Sequence, residues 1–222
     1  MSSLVTIVLF FLARYLYQRK PLLIFIPVLF GVIGGILFLK ATDYSYQQYF
    51  DENKPLTFLL GPAVVALGVL MHKQLQSIRS HLLPLILSVA FGSFLSVFMV
   101  ALLARLLSLP SELAASLIPL GITTPIAIEV TQPLGGDPAI TSVVVIGIGL
   151  LGNMFSPFWL RWFMIQNEAS AGVAIGTVSH GIGTARAILM SEKTGVFSGL
   201  AMSINGLITV FSAPFVWSLA YG

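Results

Sequence analysis

The chain has 222 residues, 57% of them apolar and only 9% charged, against roughly 25% charged in an ordinary soluble domain. Eleven basic and eight acidic side chains cannot cover a water-soluble monomer of this size without large exposed apolar patches, so a bilayer is the solvent for most of this surface. The net charge of +3 is dispersed at helix ends with no basic stripe, which argues against a nucleic-acid partner, and the absence of Cys removes disulfide and thiolate chemistry.

A helix needs about 20 residues to span about 30 Å of hydrocarbon. The first apolar run, Leu4 to Tyr17, contains only one charge, Arg14, which can snorkel to the interface, and is followed by Arg19 and Lys20. Charges after rather than before the apolar stretch are the reverse of a secretory signal, and it reads as a retained helix. Pro21 to Leu39, Pro55 to Met71 and Leu82 to Leu107 follow, and later come two nearly charge-free runs, Pro138 to Leu160 and Val196 to Tyr221. Between these lie Glu112 to Val130 and Ala169 to Met190, apolar enough to enter a membrane but interrupted by Pro, Gly, Thr, Ser and His. The runs are continuous rather than alternating, which excludes a transmembrane barrel. The predicted fold class is all-α: a polytopic transmembrane helical bundle in one membrane domain, residues 1–222. It would have about 7–8 membrane segments, two of them discontinuous or re-entrant. Helix pairs starting near Pro55, Pro110 and Ala169 hint at transporter-like internal repeats. By the positive-inside rule the loops carrying Arg14, Arg19, Lys20 and Lys73, Arg79 face the cytoplasm, and the net negative loop between them faces outward.

The interrupted segments carry the functional signal. In Ser116-Leu-Ile-Pro-Leu-Gly-Ile-Thr-Thr-Pro-Ile-Ala127, Pro119 and Gly121 end one helix, and Thr124 with Pro125 restarts the next, Thr as cap and Pro at the first helical position. A helix N-terminus at membrane depth offers free amides and a partial positive charge, and the hydroxyls of Thr123 and Thr124 add donors, so an anion needs no lysine there. In Gly176-Thr-Val-Ser-His-Gly-Ile-Gly-Thr-Ala-Arg186, Gly181 and Gly183 permit an unwound stretch and Thr184 caps the helix that follows. Ser179, His180 and Arg186 place polar groups where lipid makes them costly, so each must face a partner or a wet cavity. Gly61 and Pro62 form a third candidate break, for which a simple kink is an equal reading. Asn153 and Asn205 read equally as interhelical bridges or as path-lining groups. Glu129 reads as interfacial, and as a proton carrier if it lies deeper. No nucleophile elbow, oriented imidazole or metal-ligand spacing is present, so no catalytic residue, metal or cofactor is expected.

At these blocks, together with Leu60-Gly-Pro-Ala-Val-Val-Ala-Leu67 and Gly135-Gly-Asp-Pro-Ala-Ile-Thr141, the sequence resembles the LrgB family of bacterial membrane proteins, whose relatives include the plastidal glycolate/glycerate translocator. The resemblance implies a multi-pass protein of the bacterial cytoplasmic (inner) membrane, often paired with a small LrgA-type membrane protein. It also implies one of two roles, small-carboxylate transport or antiholin-like control of murein hydrolase export and autolysis. Many relatives carry a lysine after the proline at 119, where this chain has Leu120. The expectation is a carrier for a small monocarboxylate, its anion held near Thr123, Thr124, Pro125, Gly183 and Thr184 with Arg186 as countercharge and Ser179 or His180 on the substrate hydroxyl. Gly61, Pro62, Glu129, Asn153 and Asn205 would be path or coupling residues. The expected partners are the substrate, membrane lipid, an LrgA-type protein and a second copy in a homo-oligomer, most simply a dimer.

Overall fold

The computed structural model describes residues 2–20, 22–59, 62, 65, 69, 72–73 and 75–221. No strand occurs among the described residues. They fall into two compact units, Met1–Gly68 and Val69–Gly222.

In the first unit α1 (Ser2–Arg19) packs against α2 (Pro27–Ala41), and two short helices follow, α3 (Tyr46–Glu52) and α4 (Lys54–Phe58). Pro27 starts α2 because its missing N–H is unpaired there anyway. Ser45 and Gln48 cap α3 reciprocally. Gly34 lets the helices meet, since a Cβ there would lie 2.7 Å from Leu9 Cδ2. Polar groups latch one end of this hairpin. Both the amide and the hydroxyl of Ser2 donate to Glu52, at 2.7 and 2.9 Å, and Thr6 Oγ1 donates to Asn53 Oδ1 at 3.0 Å. Pro62 is helical and exposed; Gly61 lies outside the described residues.

The second unit contains α5 (Leu75–Leu106), α6 (Ser111–Leu117), α7 (Thr124–Thr131), α8 (Pro138–Trp162), α9 (Glu168–Met190) and α10 (Glu192–Tyr221). Asp137 and Asn167 cap α8 and α9 by accepting from the amides of Ala139 and Ser170. Four helices among the described residues are long and apolar enough to cross a membrane: Ile78–Leu106, Pro138–Trp162, Glu168–Met190 and Glu192–Tyr221. The membrane-helical class is therefore as the sequence predicts, and many lipid-compatible side chains such as Phe91, Leu107, Val143 and Phe211 stand exposed.

One of those four helices is not straight. The backbone at His180 leaves the helical region, with φ 41° and ψ −139°. Ala187 joins Ala171, Ile175 and Leu160 in one buried cluster, although 16 residues of straight helix would separate Ala171 from Ala187 by about 24 Å. A Cβ on Gly183 would lie 3.0 Å from Ile175 Cγ2. Segment α9 is thus a hairpin that reverses at His180 and returns to the end it started from. The pair α6–α7 also reverses. The amide of Asp137 donates to Ser116 Oγ at 2.7 Å, and Thr141 Oγ1 lies 2.9 Å from both the Ser116 carbonyl and Thr131 Oγ1, so the residues flanking the break meet at the first turn of α8.

The two hairpins enter the unit from opposite ends. His81 near the start of α5 shares a cleft with Ala169 and Phe197, from the starts of α9 and α10. At the other end Arg105 donates to the carbonyl of Ala220 at 2.7 Å, and there α6 begins and α8 starts. The first end carries Arg79, Arg161, Arg186 and Lys193 against Glu168 and Glu192; the second carries Arg105 against Glu112, Glu129 and Asp137. We refer to them as the basic and the acidic end.

Candidate functional site

Asn205, near the middle of α10, joins the two reversals. Its Nδ2 donates to the carbonyl of Gly121 at 2.9 Å and to the carbonyl of Thr177 at 2.8 Å, while its Oδ1 lies 2.5 Å from Ser93 Oγ of α5. The residue is 2% exposed. Both carbonyls belong to turns of chain near a break, where the helical ladder no longer supplies every donor. The tips also touch directly: a Cβ on Gly121 would sit 3.5 Å from the Thr177 carbonyl oxygen. Two half-helices from opposite ends therefore meet on one side chain, an arrangement in which non-helical backbone at depth is satisfied by protein.

The first tip is open. Leu120 and Ile122 make turn hydrogen bonds to Leu117 and Pro119. Thr123 then occupies the cap of α7 in extended conformation, with no side-chain cap bond, and Pro125 is its second residue. The cap is one residue earlier than the sequence reading, which placed it at Thr124. Thr123 and Thr124 are half-buried and Pro125 exposed. Glu129 is exposed, on the last turn of α7 toward the acidic end.

The second tip is closed. The reversal falls on His180, whereas Gly181 and Gly183, expected to unwind, keep negative φ. His180 is 4% exposed and its Nε2 lies 2.9 Å from the carbonyl of Val145 on α8. The ring lies over Gly149, where a Cβ would approach its Cε1 to 2.6 Å. Thr184 does not cap a helix as expected: its Oγ1 bonds back to the His180 carbonyl at 2.8 Å and meets Ser198 Oγ at 2.9 Å. Ser179 is 2% exposed and pressed against Gly152. Asn153 donates to the carbonyl of Ile182 at 2.8 Å, tying α8 to the returning arm. Ser179, His180, Gly183, Thr184 and Asn153 are thus brought together as packing around one turn.

Arg186 is not at this depth. It lies on the returning arm of α9 and lines a polar cavity with Arg161, Gln166, Glu168, Ser191 and Thr194 at the basic end, away from Thr123 and Thr124. A cleft of about 510 Å³ runs from His81 and Ser170 at that same end past Ser88 to Gly92 and Thr177, reaching the turn whose carbonyl Asn205 holds. Among the described residues no group of His, Asp or Glu is placed to hold a metal ion. Asn205 bridges neighbouring segments, one of the two readings its sequence position allowed; its signal was a lone amide midway along an apolar helix.

The profile of the LrgB-like family matches residues 6–219. The chain belongs to the LrgB-like family. It is 36% identical over 219 residues to YwbG of Bacillus subtilis (strain 168), covering 98% of this chain and 96% of that one. A protein of Haemophilus influenzae is 33% identical over 219 residues, with 99% and 95% covered. An antiholin-like protein LrgB of Bacillus cereus (strain B4264) is 28% identical over 197 residues, with 89% and 86% covered. No solved structure matches. This LrgB-like chain is therefore a membrane protein, and the family match runs through both reversals.

Proposed function

We propose that the chain is a carrier for small monocarboxylates, of the glycolate, glycerate or pyruvate class, in the bacterial cytoplasmic membrane. The observation that supports this reading is the meeting of two opposed half-helix hairpins on Asn205. Broken helices that meet at depth line substrate sites in secondary transporters, and a protein with no ligand to pass has no need of two reversals. The carboxylate is taken at the amide end of α7 with the Thr123 and Thr124 hydroxyls, and the cleft from His81 to Thr177 is the route from the basic end. Alternating access moves one hairpin past the other about Asn205. No step requires covalent chemistry or a cofactor.

Charge sets the orientation. The basic end faces the cytoplasm and the acidic end faces outward. In this topology α5, α8 and α10 cross while α6–α7 and α9 re-enter, and the whole chain has about eight membrane segments. A second copy, or an LrgA-type membrane protein, would assemble through the exposed apolar faces.

The name of the Bacillus cereus relative favours a second reading, an antiholin-like scaffold that regulates hydrolase release without a substrate cycle. Reconstitution separates the two. A carrier gives saturable, stereoselective uptake of labelled glycerate, and Thr124→Val lowers kcat/KM roughly 10- to 100-fold, the worth of one hydrogen bond to a charged group. Graded dye release without saturable uptake, or uptake undiminished in Thr124→Val, would sink this reading.

A further inference from the structure

Arg186 makes no hydrogen bond or ion pair among the described residues, and its Nε is buried without a partner. A guanidinium cannot shed its proton in a protein, so a buried N–H of this cation either remains unsatisfied or meets a group from outside the chain. Space for such a group is present. Arg186 lines a cavity of about 540 Å³ whose other polar walls are Arg161, Gln166, Glu168, Ser191 and Thr194. Arg161 uses its Nε on the Pro157 carbonyl at 3.2 Å, which leaves its terminal nitrogens for the cavity. Ser191 and Thr194 are occupied with each other, their hydroxyls 2.9 Å apart.

We infer that this cavity is a binding site for a monoanionic oxyanion, held by the paired guanidiniums of Arg186 and Arg161 at the basic end. The charge count specifies the class. Two guanidiniums and the single carboxylate of Glu168 leave one positive charge, matched by one carboxylate or one phosphodiester. Planar guanidinium forks recognise both geometries with two parallel hydrogen bonds. The α9 hairpin creates the site: by reversing at His180 it brings Arg186 back beside Glu168 and the end of α8, where a straight helix would carry it away. Binding here pins the open end of the hairpin whose tip rests on Asn205. The site stands whether or not the chain transports anything, because it lies apart from Thr123 and Thr124.

The oxyanion has two sources, a soluble small carboxylate or the headgroup of an anionic phospholipid. The test uses the full chain in nanodiscs of phosphatidylcholine, with thermal stability followed as sodium glycolate replaces sodium chloride at constant ionic strength. A parallel series replaces part of the phosphatidylcholine by phosphatidylglycerol without glycolate. Stabilisation by glycolate assigns the soluble acid, and stabilisation by phosphatidylglycerol alone assigns the headgroup. In the responding series Arg186→Gln weakens the apparent affinity by roughly tenfold or more, Arg186→Lys restores part of it, and Arg79→Gln, at the same end but outside the cavity, leaves it unchanged. Where Arg186→Gln does not fold, phenylglyoxal labelling of the wild-type chain replaces it, and the responding anion slows modification of Arg186. A wild-type chain that gains nothing from either anion, an undiminished response in Arg186→Gln, or unprotected labelling overturns the proposal.

Discussion

The two reversals meet on the same side chain yet are built in opposite ways. In the first, the residues that cannot continue a helix make the break: Pro119 and Gly121 stop one segment, and Thr123 with Pro125 starts the next. Its hydroxyls stay half-buried and available. In the second, the backbone turns at His180, a residue with a side chain in a region of φ that costs of order 1–3 kcal/mol, while the neighbouring glycines supply room. A Cβ at Gly176 would collide with the Ser198 carbonyl, and one at Gly149 or Gly152 with His180 or Ser179. A break made by breakers leaves polar groups open to a ligand. A break made by packing uses its polar groups up.

The strongest test of this comparison is all-or-none. The chain has no Cys, so single cysteines report directly. Asn167→Cys and Ser191→Cys, at the two feet of α9, are labelled from the same side of the membrane, and Asp137→Cys from the other. Labelling of positions 167 and 191 from opposite sides would show that α9 crosses. The next largest effect is on the joint. Asn205→Leu leaves the Gly121 and Thr177 carbonyls without their donor, and costs about 2–4 kcal/mol in reversible unfolding, from roughly 1–2 kcal/mol for each bond. A loss below one bond's worth would mean that the tips are held by something else.

Smaller effects separate the two kinds of glycine. Gly176→Ala costs about 1–3 kcal/mol through overpacking against α10. Gly147→Ala, with open space around its Cβ, is neutral or stabilises by up to about 1 kcal/mol, because alanine loses less entropy in a helix. Thermal melts of the pair settle it, and equal behaviour would contradict the close packing of α9 on α10. Smallest is the comparison at the turn itself. His180→Gly and His180→Ala both lose the bond to Val145, but only alanine keeps the strain, so His180→Gly is the more stable of the two by about 1 kcal/mol. The reverse order would remove the turn from residue 180.

These contrasts also explain which parts were legible beforehand. Membrane burial follows from composition, and the first reversal from proline chemistry, which acts locally: Pro119 and Thr-Pro act on their own backbone whatever lies nearby. The cap was misplaced by one residue because Thr123 and Thr124 are equally able to fill it. The second reversal depends on distant partners, since Val145 and Gly149 of α8 hold the imidazole and Ser198 of α10 meets Thr184. Nothing in Gly181-Ile-Gly183 says that the helix resumes at the first glycine. Arg186 was misjudged for the same reason. On a straight span it would lie about 9 Å beyond His180, toward the opposite end of Glu168–Met190, and only the fold-back moves it to the basic end.

The reversal of α9 has a consequence for parity. Two full crossings by the interrupted segments, or two re-entrant hairpins, leave the C-terminus on the same side. A reporter fused after Tyr221 is therefore blind to the difference. Only α8 is inverted between the two descriptions, so the whole question of how this chain is threaded rests on which way one 25-residue helix points.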